Sequence, residues 1–119
     1  MAIKNLEASV RRSAGAAVID LRGEIDSFGE EALNSAYADA TRHDPSAVLL
    51  NFRDVEYINS TGIALIVALL AQERKAGRRL LTFGLSPHYE EIFQITRLAD
   101  FMSIYPDEAT ALTGAGQLN

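Results

Sequence analysis

Hydrophobic and polar positions change period several times along this chain, and the changes mark out its elements. Residues 5–12 and 16–23 read as two strands, with Ser13, Ala14 and Gly15 turning between them. In the second, Ile19 and Leu21 face one way while Asp20 and Arg22 face the other, the alternation of a strand with one wet face. The period then lengthens. Phe28, Ala32, Leu33, Ala36, Tyr37 and Ala40 recur at helical spacing. Ser27-Phe28-Gly29-Glu30 has the form of a capping box, with Ser27 accepting from a first-turn N–H and Glu30 reaching back. This helix is expected to end near His43, because Asp44 precedes Pro45 and is driven out of the α region.

Ala47-Val48-Leu49-Leu50-Asn51-Phe52 is nearly continuous in apolar character, as a central strand covered on both faces requires. Asp54-Val55-Glu56-Tyr57-Ile58 follows, then a polar corner, Asn59-Ser60-Thr61-Gly62. A second helix is expected from about Thr61 to Ala76, stopped by Gly77, and a strand from Arg79 to Gly84. Ser86-Pro87 opens a third helix, serine as cap and proline in the first turn, with Ile92, Phe93 and Ile95 as its buried side. Phe101 to Tyr105 reads as a last strand, Pro106 to Leu112 as a short helix, and Gly114–Asn119 as a loose tail.

Strands alternating with helices after an initial hairpin imply an α/β fold. The expectation is a mixed sheet of four or five strands, the first pair antiparallel and the rest largely parallel, with about four packed helices. It forms one domain over residues 1–119, with a core at about 5–112. Sites in such sheets lie most often at the carboxyl ends of the parallel strands, where the Asn59–Gly62 corner falls.

Composition narrows the function classes. With 119 residues, 48% of them apolar and 23% charged, the chain fits one domain with a real core. Cysteine is absent, so neither a disulfide framework nor a cysteine metal site is available. The opening MAIKNLEASVRR lacks a signal-peptide apolar region, and the longest apolar run, Ile63 to Ala71, is too short to span a bilayer. A cytoplasmic chain without membrane insertion is expected.

The net charge of −5 argues against binding nucleic acid, which needs a basic surface. The one basic cluster, Arg74, Lys75, Arg78 and Arg79, falls where a helix should end. It either meets the negative end of the helix dipole or forms an anion patch. His43 and His88 sit beside helix ends, outside any catalytic signature, and Asp54 and Glu56 read as solvated edge residues. No catalytic residue, metal ligand or cofactor is expected.

Ser60 stands apart. A hydroxyl at a helix start is commonly a cap. The same place tolerates an added phosphate best, because free N–H groups and the positive dipole end face it. A partner packed on that corner would then meet about −1.5 to −2 added charges. Asp26 reads as a cap for the first helix.

Gly23-Glu24-Ile25-Asp26, Leu50-Asn51-Phe52, the stretch Asp54 to Ile63, Leu85-Ser86-Pro87 and Phe101-Met102-Ser103-Ile104-Tyr105 occur here in order. Together they resemble the STAS domain of bacterial anti-sigma factor antagonists over roughly residues 5–112. The resemblance implies a protein that binds an anti-sigma factor, often a GHKL-type serine kinase, and so frees a sigma factor. The kinase phosphorylates the serine aligned with Ser60, which ends binding, and a phosphatase resets it. Asp26, Ser27, Asn59, Ser60, Thr61 and Gly62 become the expected partner surface. Two positions depart from the family pattern. Asn59 replaces its usual aspartate, and Arg97 stands where glycine is common, which implies a less left-handed helix end. The second reading is an ungated adaptor subunit of a signalling scaffold or a lipid transporter.

Overall fold

The computed structural model describes residues 5–116. A five-stranded sheet of order β1-β2-β3-β4-β5 runs through them: β1 Glu7–Ser13, β2 Ala16–Ile25, β3 Ala47–Ile58, β4 Arg79–Phe83 and β5 Ser103–Tyr105. The first pair is antiparallel and each later pair parallel. Four α-helices accompany it: α1 Glu30–Thr41, α2 Ser60–Lys75, α3 Pro87–Ile95 and α4 Glu108–Gly116. The expected α/β architecture is observed.

β3 is the central strand because Ala47–Phe52 has no polar face to offer water; all six residues are buried. Its outer half carries the strand on past the apolar run. Asp54–Ile58 continues the same strand, and β3 contributes an extra residue opposite β2 between Asp20 and Arg22 and again between Gly23 and Glu24. Such bulges interrupt the alternation that sequence reading relies on.

Two cores lie on opposite faces of the sheet. The larger, with Ile19, Leu21, Leu33, Leu50, Ile66, Leu69 and Phe93, is closed by α1, α2 and α3. The smaller joins Val18, Leu49, Leu81 and Phe83 to Ala111 and Ala115 of α4. The loose tail expected from Gly114 therefore starts later: Gly114 and Ala115 are buried in α4, and residues 117–119 lie outside the described residues. Ile95, expected inside, is 71% exposed, leaving Phe93 as the anchor of α3. Phe101 is likewise exposed and precedes β5 rather than belonging to it.

Polar clusters pin the outer layers. Arg11 on β1 binds Asp20 of β2 through Nε at 2.5 Å and Glu108 of α4 through Nη2 at 2.8 Å. Asn51 donates to Asp20 at 2.8 Å from the next strand. These donors hold the carboxyls of Asp20 and Glu108 below the usual carboxylate range, Arg11 being the main cause in each case. On the other face Glu73, fully buried, accepts from Tyr37 Oη at 2.6 Å and from Arg78, which also reaches Asp44 at 2.9 Å. Burial, reinforced by the hydrogen bond to Glu73, pushes the Tyr37 hydroxyl up to about 12. A buried carboxylate costs several kcal/mol unless paired, and here its partner is the bidentate Arg78.

Arg97 corrects the expectation for the end of α3. Its φ is 68°, so the chain makes a left-handed turn of the kind that favours glycine and places an arginine in it. Its Nε–Asp100 contact at 2.6 Å is largely exposed and offsets little of that strain.

Two predictions follow from these features. Asp20 and Glu108 have depressed folded-state values, so their contribution is complete above the unfolded carboxylate range and is lost as pH falls below about 4. Urea unfolding from pH 7 to pH 3 is expected to show a steeper acid loss in wild type than in Arg11→Met; equal slopes would remove Arg11 as the cause. Arg97→Gly is expected to raise stability by about 0.5 kcal/mol, relief of left-handed strain exceeding the extra entropy of an unfolded glycine. A loss in urea midpoint would mean that the ion pair to Asp100 outweighs the strain.

Candidate functional site

The carboxyl ends of β2 and β3 meet at one corner, and backbone chemistry fixes what stands there. Ile25 pairs with Ile58 at the last rung between the strands. Just beyond it, Asn59 N–H donates to Ile25 O at 3.2 Å, holding the start of α2 against the end of β2. Tyr89 Oη, from α3, accepts from Ile58 N–H at 2.9 Å and closes the ladder from the other side. α2 then leaves over β2 at such close range that a Cβ on Gly62 would stand 2.1 Å from Ile25 O. No side chain fits, so glycine at this position permits the corner.

Asn59 is the N-cap of α2. Its Oδ1 accepts from Gly62 N–H at 2.8 Å, and its backbone is extended as a cap requires. This corrects the reading of Ser60 as the cap. Ser60 occupies the first helical position, exposed, and among the described residues no hydrogen bond engages its hydroxyl. Thr61 beside it is exposed as well. The cap is supplied by a residue that an added phosphate leaves untouched, while the serine hydroxyl stays free.

Asp26, one residue beyond Ile25, stands at the same corner. Its Oδ1 accepts from Phe28 N–H at 3.0 Å and caps a 3₁₀ turn, Ser27–Gly29, that leads into α1. The capping box expected at Ser27 is not formed: Ser27 lies inside that turn, and α1 begins at Glu30 after Gly29 without a side-chain cap. The cause is the tight turn, which lets Asp26 reach the N–H two residues on. Phe28, expected to pack in the core with α1, is instead 82% exposed at this corner, and Gly29 is buried against Leu6 in its place. Tyr57, the penultimate residue of β3 before the corner, is 49% exposed. Both aromatics belong to the corner and neither was expected there; an aromatic inside a helical apolar pattern carries no sign that the turn will expose it.

The electrostatics are one-sided. Residues 23–41 and 54–73, which flank the corner and are bounded by Arg22, Arg42, Arg53 and Arg74, contain Glu24, Asp26, Glu30, Glu31, Asp39, Asp54, Glu56 and Glu73 but no lysine or arginine. The basic cluster at the far end of α2 does not form a patch. Arg78 is committed to Glu73 and Asp44, Arg79 reaches Gly114 O at 3.0 Å and Ser103 Oγ, and Arg74 lies 5.1 Å over the Phe101 ring. His43 and His88 are exposed on separate elements, and among the described residues no three His, Cys, Asp or Glu side chains stand together as metal ligands. No described helix is long and apolar enough to cross a membrane.

The arrangement suits an exposed hydroxyl offered to a partner, on a rigid corner with aromatic and acidic surroundings. Comparison with known proteins agrees in kind. The STAS domain family model matches residues 7–111. The anti-sigma-B factor antagonist of Staphylococcus aureus is 30% identical over 90 residues, 72% of this chain and 80% of that protein. Among solved structures, an anti-sigma factor antagonist from Mycobacterium paratuberculosis superposes with a TM-score of 0.85 at 23% identity, covering 98% of both chains. The anti-sigma factor antagonist SpoIIAA in its unphosphorylated form gives a TM-score of 0.72 at 17% identity, over 93% of this chain and 99% of that one. The same protein of Bacillus is also known in a phosphorylated form, with a TM-score of 0.68 at 20% identity, over 90% of this chain and 97% of that one.

The corner geometry predicts a graded mutant series. Gly62→Ala is expected to cost about 2 kcal/mol or more, since backbone must move to admit the methyl. Asn59→Ala is expected to cost about 1 kcal/mol and Asn59→Asp less than about 0.5, because a carboxylate caps equally well. Denaturant midpoints check the order; a neutral Gly62→Ala would contradict the close approach to Ile25.

Proposed function

The chain belongs to the STAS domain family, and from that premise we propose that it is an anti-sigma factor antagonist gated by phosphorylation of Ser60. In this reading the unphosphorylated chain binds an anti-sigma factor that is also a serine kinase, and a sigma factor is freed. Transfer of a phosphoryl group from ATP to Ser60 Oγ ends the binding, and a phosphatase restores it. The chain is a substrate and a binding protein rather than an enzyme, and it works in the cytoplasm. Asp26, Ser27, Asn59, Ser60, Thr61 and Gly62 form the contact region, with Gly62 acting through the backbone.

One observation carries the reading: Ser60 is exposed at the first position of α2 while Asn59, not Ser60, supplies the cap. The hydroxyl has no structural duty to lose. A phosphate there faces free N–H groups and the positive end of the α2 dipole, so the fold accommodates it. The complex does not. A partner seated on the corner has to bury a dianion at the end of the sheet that carries Asp26, with no lysine or arginine of this chain within residues 23–41 and 54–73 to pair with it. The names of the relatives support the antagonist class, and Asn59 keeps the capping role that the family's aspartate would fill.

Calorimetry against the cognate anti-sigma kinase tests the proposal. Unphosphorylated wild type and Ser60→Ala are expected to bind alike, and Ser60→Ala to resist release by ATP. The phosphorylated chain is expected to bind about two to four decades more weakly, a loss of ~3–5 kcal/mol. Ser60→Asp should fall between, since a carboxylate carries half the charge. Equal affinities across the series would leave an ungated adaptor.

A further inference from the structure

The sheet has one long open edge. β1 lies at the end of the strand order, spans Glu7–Ser13, and pairs with β2 in an unbroken register from Glu7↔Arg22 to Ser13↔Ala16. It contains no proline, glycine or bulge; of the devices that usually blunt an edge it has only charged side chains, Glu7, Arg11 and Arg12. The opposite edge, β5, is only three residues long. We propose that β1 is a self-association surface: its free edge pairs antiparallel with β1 of a second copy about a two-fold axis at Ser9.

The turn fixes which backbone groups are free. Ala14 and Gly15, at φ 52° and 84°, make the two-residue turn with both φ positive that closes tight hairpins. The flanking pair Ser13↔Ala16 is then hydrogen-bonded, and bonded pairs recur at alternate residues. Ser13, Arg11, Ser9 and Glu7 direct their N–H and C=O groups to β2. Arg12, Val10 and Ala8 direct theirs outward, with no strand beyond them among the described residues.

An antiparallel two-fold pairing needs outward residues opposite outward residues. Centring it on Ser9 satisfies this, with Ala8 facing the partner copy's Val10. It also sets Glu7 opposite Arg11 of the second copy, twice by symmetry, in the pair geometry where side chains approach most closely. Centring on Val10 satisfies the backbone equally but faces Ser9 with Arg11 and Glu7 with Ser13, losing both charge pairs. Charge complementarity therefore selects the Ser9 register. Glu7 is available for it, 73% exposed with only a 3.8 Å contact to Arg22; Arg11, its side chain 44% exposed, already gives four N–H groups to Asp20 and Glu108 and has one on Nη1 left for the second copy's Glu7, so the pair selects a register and adds little affinity.

The flanking layers allow the approach. Arg12 is not an obstacle, because its guanidinium turns back to cap α1 at Ala40 O, 2.7 Å, and Asp39 O, 2.8 Å. Ala8 and Val10 are half-buried against the α1 side of the sheet and would continue that core into the second copy. With strands ~4.8 Å apart and α1 lying over β1 and β2, the two α1 axes would sit about 10 Å apart, an ordinary helix-packing distance. A strand-edge interface of this size is small, so a weak dimer is expected, dissociating in the range of tens to hundreds of micromolar.

Sedimentation velocity of the full chain, from micromolar to about 1 mM, reads the association, and amide exchange by NMR at both ends of that range reads the edge. Dimerisation is expected, with the amides of Ala8, Val10 and Arg12 protected only at high concentration, while those of Ser9 and Arg11 are protected throughout. Ala8→Pro, which removes one outward N–H that the monomer does not use, should weaken association at least tenfold with unchanged circular dichroism. Glu7→Arg, a fully surface change, should do the same and raise the salt sensitivity of what remains. A monomer at every concentration overturns the proposal. So does a dimer that Ala8→Pro and Glu7→Arg leave intact, or one whose Ala8 and Val10 amides stay unprotected.

Discussion

The hydrogen bond from Asn59 N–H to Ile25 O, at 3.2 Å, is the constraint on which the functional corner rests. It ties the start of α2 to the end of β2, two segments separated by the whole of α1 and β3. Through it Asp26 and Ser60 come to one end of the sheet. The bond exists only because Gly62 lets α2 lie against that carbonyl; any side chain would collide with it. The cap from Asn59 to Gly62 then ends α2 cleanly at that point and frees the neighbouring serine. Position, exposure and a phosphate-tolerant dipole end thus come from Asn59, Ser60 and Gly62 and one strand end.

The stability of the molecule is lodged elsewhere. Glu73, Tyr37, Arg78 and Asp44 lock α1 to the far end of α2, and Arg11 locks β1, β2 and α4 together. Neither network includes a residue of the Ser60 corner. Changing the charge at Ser60 therefore leaves the groups that hold the layers untouched, and a switch that acts on the complex rather than on the fold becomes physically reasonable. The left-handed Arg97 shows the same economy, since the backbone path is kept even where the residue that suits it best is absent.

Much of this was legible in the sequence. The apolar run Ala47–Phe52 demanded a central strand, the hairpin at Ala14-Gly15 was announced by its turn residues, and Ser86-Pro87 capped α3 as read. The corner Asn59–Gly62 fell at the carboxyl end of β3, where the alternation of strands and helices put it. What escaped did so for local reasons. Ser27 and Asp26 both cap well, and only the tight turn decides for Asp26. Phe28 obeys the helical period yet is turned out to solvent, and bulges hid the continuity of β3 through Asp54–Ile58. The buried Glu73 was invisible because its partners, Tyr37 and Arg78, lie on separate elements. For the same reason three of the four basic residues that look like one cluster, Arg74, Arg78 and Arg79, serve different structural tasks.

The central claim is that a phosphate on Ser60 costs the complex and not the fold. Urea unfolding of the enzymatically phosphorylated chain beside the unmodified one tests it most directly. Equal stability within about 1 kcal/mol, with phosphate neutral or slightly favourable at the helix start, is the predicted result. Destabilisation by several kcal/mol would contradict it and would make the switch an unfolding event at the corner rather than a charge placed in a partner's way.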